Sequence, residues 1–217
     1  MIKWLNGGQF MYKKNQISAM TNFHIPDCEE FKDGINAYNM KEKRGPIWFS
    51  ALSTVTTNWG KPAKMAEGIH ELIKGWNRFY SDIDLQKLST CIKKNQTTLT
   101  GLKGRHIISL SNKDIPIIED LFRQFLSALA RVKDDRESPV SVAKAFSLLA
   151  PDFLPIWDIL IAWAYGSITA SGTYIPFCLK MKILYEKVKH CIPPGDDRSL
   201  LKRIDEYNYS KYTMKWI

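Results

Sequence analysis

Asp158 follows Trp157 and opens the apolar run "ILIAWAYG", so its carboxylate stands where a helix begins. Two readings fit that place. An aspartate at a helix N-cap accepts a backbone N–H and stabilises the fold by about 1 kcal/mol with no substrate involved. The same carboxylate, aimed at a site where positive charge develops, stabilises a transition state. Upstream in "SPVSVAKAF", Ser141 supplies a hydroxyl and Lys144 an amine. Trp157 offers an indole that either fills a core or stacks on a base. Further back, Gly101 and Gly104 bracket Lys103, and Arg105 follows; such a turn either presents amides and cations to a phosphate or is simply exposed.

Several chemistries have no support. The chain lacks G-x-x-x-x-G-K-[ST], G-x-G-x-x-G, H-E-x-x-H and G-x-S-x-G, the patterns of phosphate loops, dinucleotide sites, zinc proteases and nucleophile elbows. His24, His70, His106 and His190 are dispersed along the chain. Cys28, Cys91, Cys178 and Cys191 form no C-x-x-C pair. That spacing predicts reduced, mostly buried thiols in a cytoplasmic protein, with no metal site and no cofactor.

The segment "SVAKAFSLLAPDFLPIWDILI" resembles the part of helix-hairpin-helix DNA glycosylases in which a hairpin feeds a small-residue helix, a turn of the type F-P-x-x-D follows, and a second helix begins. The monofunctional adenine-specific branch is most similar, because it carries Ser where bifunctional relatives carry a nucleophilic Lys. Aligned on the aspartate, Asp158 matches the essential carboxylate, Ser141 matches the Ser/Lys position (158 − 141 = 17) and "LPIWD" matches the turn. The resemblance implies that Asp158 stabilises the oxocarbenium-like charge that forms as a glycosidic bond breaks. It also implies a base flipped out of duplex DNA, a phosphate oriented by Ser141 and neighbouring amides, and a base pocket lined by Trp157. This chain departs from the family in the hairpin, where Glu137, Ser138, Pro139 and Val140 replace glycines. Pro139 donates no N–H, and Glu137 repels phosphate. Lys144 lies one turn beyond the family's nucleophile position, and the family's cluster-binding cysteine array is absent. A non-catalytic helical module that binds DNA, RNA or an acidic protein is the rival reading.

Helices must position these groups. "AKMAEGIHELIKGWNRFY" sets Met65, Ile69, Leu72, Ile73, Trp76 and Phe79 at helical spacing. "DIPIIEDLFRQFLSALARV" predicts a helix capped by Asp114 with Ile117, Leu121, Phe125 and Leu129 as its stripe. Ser138 with Pro139 starts a third and Asp158 a fourth, ended by Gly166. "YIPFCLKMKILYEKVKH", "EEFKDGINAYNMKEKR" and the C-terminal "DDRSLLKRIDEYNYSKYTMKWI" add three more. "PIWFSALSTVTTNWG" is open between helix and strand, and "TLTGLKGRHIISLS" between hairpin and loop. Trp157 and Trp163 read as core aromatics, whereas the basic and aromatic mixture at the C-terminus reads as a solvated face or a phosphate surface.

The sum is an all-α protein, 1–217 as one helical domain with possible lobes 1–113 and 114–217. With 31 Lys+Arg against 22 Asp+Glu, a formal charge of +9 favours acidic partners, whether nucleic acid, an anionic membrane or an acidic protein, and the glycosylase resemblance implies duplex DNA among them. The "NGG" in "MIKWLNGGQFMYKK" breaks any apolar segment of signal-peptide length, and "ILIAWAYG" is far short of the roughly 20 residues that span a bilayer. No membrane association is expected.

Overall fold

Wherever apolar residues recur every three or four positions the chain coils into a helix and turns that face inward. The computed structural model describes residues 23–77, 81–168, 171–192 and 198–217. Ten α-helices occur among them: α1 Cys28–Lys41, α2 Gly45–Thr57, α3 Pro62–Trp76, α4 Leu85–Lys94, α5 Gln96–Leu102, α6 Ile115–Ala128, α7 Pro139–Leu149, α8 Ile159–Ala164, α9 Tyr174–Val188 and α10 Leu200–Asn208. Short 3₁₀ turns cover Ile107–Ser109 and Ser171–Thr173, and a π turn, Tyr209–Thr213, continues α10. Among the described residues the only β pairing is an isolated bridge, Ile83 with Arg131. No described helix is long and apolar enough to cross a membrane.

The ambiguous "PIWFSALSTVTTNWG" forms α2. Pro46 sits in its first turn, and Trp48, Ala51 and Val55 share a buried face, so tertiary packing overrides the β-branched content. That face meets α3 at Gly68, where an added Cβ would lie 3.0 Å from Val55 and 3.1 Å from the Ala51 carbonyl. "TLTGLKGRHIISLS" is neither hairpin nor plain loop: α5 runs to Leu102, and Gly104 turns the chain at φ +80 into the 3₁₀ turn. α4 lies outside the helices predicted above, although Asp84 capping the amides of Gln86 and Lys87, with Leu88, Cys91 and Ile92 inward, carries its signal.

Three expectations need correcting. Asp114 precedes α6 but makes no cap bond; Arg105 and Ser111 take its carboxylate instead. The α6 stripe is Ile118, Leu121, Phe122 and Phe125, and Ile117 is exposed. The thiols do not all stay reduced: Cys28 and Cys191 form a disulfide with Cα atoms 5.0 Å apart, while Cys91 and Cys178 are free and buried. The first residue of α1 meets the turn after α9, a juxtaposition that no local spacing encodes.

One hydrophobic cluster runs from Phe31 to Tyr207. Its centre is aromatic: Tyr174 lies between Phe122 and Trp157, with ring centroids 4.9 and 5.1 Å away. α10 contradicts the expected solvated face. Lys202, Arg203, Asp205 and Glu206 are all buried, and the Lys202 ammonium sits among the rings of Tyr38, Trp48 and Trp76 at 4.7, 5.5 and 5.4 Å from their centroids. Burial alone would lower the Lys202 pKa, yet Asp205, Tyr38 and Glu206 raise it above the ordinary lysine value. The stretch 1–22, which holds "MIKWLNGGQFMYKK", and Arg78, Phe79 and Tyr80 lie outside the described residues.

Candidate active site

Ser138 starts α7 by accepting the Ser141 amide at 3.2 Å. Twenty residues on, Asp158 starts α8 in the same way, its Oδ1 accepting the Ile161 N–H at 2.7 Å, and Gly166 at φ +63 follows the end of that helix. Between them, Ala150 to Asp158 turn back so that α7 and the start of α8 face one space. That space is a cavity of about 220 Å³. Lys144 of α7 and Asp158 both line it, with Tyr38 and Glu42 from the α1 end, Trp76 from the end of α3, and Asp205, Tyr209 and Thr213 from the C-terminal segment.

The charges around the cavity differ in how they are matched. Arg44 donates to both carboxylate oxygens of Glu42, at 2.9 and 2.8 Å, and to the Tyr209 hydroxyl at 2.6 Å. Burial works against the Glu42 charge, but Arg44 holds its carboxyl down to about 2. Asp205 accepts from Lys202 at 2.7 Å. Asp158 and Lys144, by contrast, make no ion pair among the described residues. The second oxygen of Asp158 accepts only the Thr213 hydroxyl, at 2.6 Å. The Lys144 ammonium donates to the Trp76 carbonyl at 2.9 Å. Burial lowers the Lys144 pKa to about 8, against the opposing pull of Asp158 and Asp205. The cavity therefore holds an acceptor and a donor of opposite charge, each supported by neutral partners, between aromatic walls.

The lowered lysine has a consequence for stability. Between about 8 and 10.5 the unfolded chain holds the Lys144 proton and the folded chain has released it. The folded state therefore gains as pH rises, by about 2 kcal/mol from about pH 7.5 to 9.5. Urea unfolding across that window is expected to show the rise in the wild type and to lose that increment in Lys144→Met.

The residues singled out from sequence separate into three groups. Lys144, Trp157 and Asp158 meet at the cavity. Trp157 is fully buried, its ring packs on Phe122, Tyr174 and Phe177, and its Nε1 donates to the Pro139 carbonyl, so it is a wall with no face open for stacking. Ser141 is fully buried too, bonded to Ser138 and to the Asn77 amide at 2.9 Å, which leaves no surface for a phosphate. Lys103 and Arg105 do not line the cavity. The Lys103 ammonium lies 4.2 Å over the Trp59 ring, and the Arg105 guanidinium is taken up by Asp114, Ser109 and the face of Phe153. Trp163, expected in the core, is 60% exposed, because only Ile161 and Ala162 of the six-residue α8 face inward.

Sequence reading missed Tyr38, Trp76, Asp205 and Thr213 as parts of the site. Glu42 and Arg44 carry a local signal, since two residues of separation let the Arg44 backbone N–H and guanidinium reach one carboxylate. The rest join only through tertiary packing. Compared with protein-family models, curated proteins and solved structures, the chain matches none.

Proposed function

We propose that this cavity is the reaction site of a nucleic-acid-processing protein that cleaves the N-glycosidic bond of an extruded base. The observation that carries the reading is the pairing of Asp158 and Lys144 across one aromatic-walled cavity, neither neutralised by an ion pair among the described residues. At about 220 Å³ the space is smaller than a drug-sized pocket and suits one ring system. The base enters between Trp76 and Tyr209, and Lys144 donates to one of its acceptor atoms. Asp158 faces the sugar and stabilises the cation that forms as the C–N bond breaks; the bonding electron pair leaves on the base, a water oxygen adds to C1′ and gives up one proton, and the base departs having gained one. The +9 formal charge supports a polyanionic substrate, and reaching such a cavity requires that the base leave the helical stack.

A second reading has its own support. Both Asp158 oxygens already accept a hydrogen bond, and the segment before α7 offers Glu137 and Pro139 where a phosphate-binding hairpin would offer amides. A scaffold that binds a base or an acidic partner without chemistry fits these facts.

Single-turnover assays on duplexes carrying mismatches, uracil, and oxidised or alkylated bases separate the two. Release of a free base from one of them, with binding that weakens steeply as salt rises, is the expected result. Tight, salt-sensitive binding with no release from any duplex moves the protein to the second reading, and no binding to any nucleic acid sinks the first reading and leaves the second only with an acidic protein as partner.

A further inference from the structure

Away from the cavity, the start of α1 and the turn after α9 bring three ligand-type side chains together. Sγ of Cys28, Nε2 of His190 and Sγ of Cys191 all lie within 4.8 Å of one another. The imidazole nitrogen is 3.4 Å from the Cys28 sulfur and 3.8 Å from the Cys191 sulfur. Among the described residues Nε2 has no other hydrogen-bond partner. His190 directly precedes Cys191, and its Nε2 faces both sulfurs, which places three donors of metal-ligand type around one point.

We propose that reduction of the Cys28–Cys191 disulfide converts this cluster into a zinc site in which Cys28, His190 and Cys191 are three ligands and a water or exogenous ligand holds the fourth position. Two thiolates and one neutral imidazole form a donor set that suits Zn²⁺, a borderline-soft ion that takes four tetrahedral ligands and tolerates one open place. The surroundings favour that state in three ways. Cys28 is the first residue of α1, where free backbone N–H groups and the positive end of the helix favour a thiolate. The neighbouring Asp27 carboxylate caps that helix through Oδ1, which accepts the Glu30 N–H at 2.9 Å, and it is not among the groups that meet at the cluster, which leaves the softer donors. Cys191 lies in a turn, tied by its N–H to the Val188 carbonyl. Its sulfur can therefore withdraw from bonding distance of Cys28 without opening a helix. Access is one-sided: Cys191 is buried, Cys28 half-buried and His190 exposed, so an ion enters past the imidazole.

The conversion balances. A dithiol reductant delivers two electrons and two protons to the disulfide, which yields two thiols and the oxidised reductant. Zn²⁺ then displaces both thiol protons as the two Zn–S bonds form, and His190 binds through the lone pair on Nε2. The clamp between α1 and the end of α9 is thus kept in both states, once by an S–S bond and once by the ion. Because two protons leave, affinity for the ion rises with pH. The site stands independently of the reaction proposed for the cavity.

Titration of the purified full-length chain with Co²⁺, followed by Zn²⁺ displacement, tests this. After reduction with a phosphine and removal of oxygen, one equivalent of Co²⁺ is expected to bind with thiolate-to-metal absorption, and Zn²⁺ to abolish that absorption. The oxidised chain is expected to show none. His190→Ala, which retains the disulfide and hence the clamp during folding, is expected to bind Co²⁺ at least about tenfold more weakly after reduction. Cys28→Ser is expected to lose the thiolate absorption in full or in large part. The proposal is overturned if the reduced chain gives no thiolate absorption, if His190→Ala binds as tightly as the wild type, or if the oxidised chain binds the ion equally well.

Discussion

Asp158→Asn is expected to slow base release by about 10²- to 10³-fold while leaving the protein folded and nearly as stable as the wild type. The substitution separates the two things the carboxylate can do. An asparagine oxygen accepts the Ile161 N–H as the aspartate does, and Asn and Asp are near-equal as N-caps. The Thr213 hydroxyl, which donates to the second oxygen, can rotate to accept from the new amide. Only the negative charge disappears, and with it the stabilisation of a forming sugar cation. Asp158→Ala removes both functions, so it should show the same loss of release plus about 1 kcal/mol of stability. Comparing single-turnover rates with urea unfolding curves for the two variants decides the matter. Full activity in Asp158→Asn would mean that this residue starts a helix and nothing more.

Glu206→Ala is expected to cost about 3–5 kcal/mol of stability. Its side chain is fully buried and serves several cations at once. Arg198 donates to its two oxygens at 2.9 and 3.0 Å, Arg203 approaches at 3.5 Å, and the Lys202 ammonium is 3.7 Å away. Truncation leaves Lys202 and Arg203 buried without the carboxylate that matches them, while Arg198 keeps Asn39 and some exposure to water. Lys202 is the most constrained of them, enclosed by rings and still held by Asp205. Glu206→Gln, which keeps the shape and one acceptor, should lose less. Urea is the denaturant to use, since guanidinium salts screen the interactions being measured. A loss under about 1 kcal/mol in Glu206→Ala would show that the cations find other partners when the carboxylate is gone.

What sequence reading reached, and where it stopped, follows from the range of the interactions involved. Caps and stripes are local: Ser138, Pro139 and Gly166 mark helix ends by residue type, and Met65, Ile69, Leu72 and Ile73 mark an inward face by spacing. Those features made the all-α architecture legible, together with the α7–α8 unit that carries Lys144 and Asp158. α2 was undecidable because Thr and Val weigh toward strand until Gly68 admits the face of α2 against α3. Asp114 stands at the start of α6 without capping it because Arg105, nine residues earlier, and Ser111 both take its carboxylate. α10 misled most. Its alternation of Lys, Arg, Asp and Glu reads as a solvent face, and only the tertiary structure brings the acids and bases of a buried network together with the rings of Tyr38, Trp48 and Trp76. Likewise nothing near Cys28 points to His190 and Cys191.

The walls of the cavity come from both ends of the chain, Tyr38 and Glu42 on one side and Asp205, Tyr209 and Thr213 on the other. That arrangement imposes an order in time. A ribosome delivers the chain from the N-terminus at roughly 5–20 residues per second, so α1 to α8 are all made before the last wall exists. During that interval Asp158 can already cap its helix, but Thr213 is not yet there to hold its second oxygen, and Lys202 is not yet there to occupy the space among the three rings. The cavity therefore has all of its walls only once α10 and the turn that follows it have been made and packed. A chain clipped before Leu200 would keep the whole Ser138 to Asp158 segment and lack the wall that Asp205, Tyr209 and Thr213 supply.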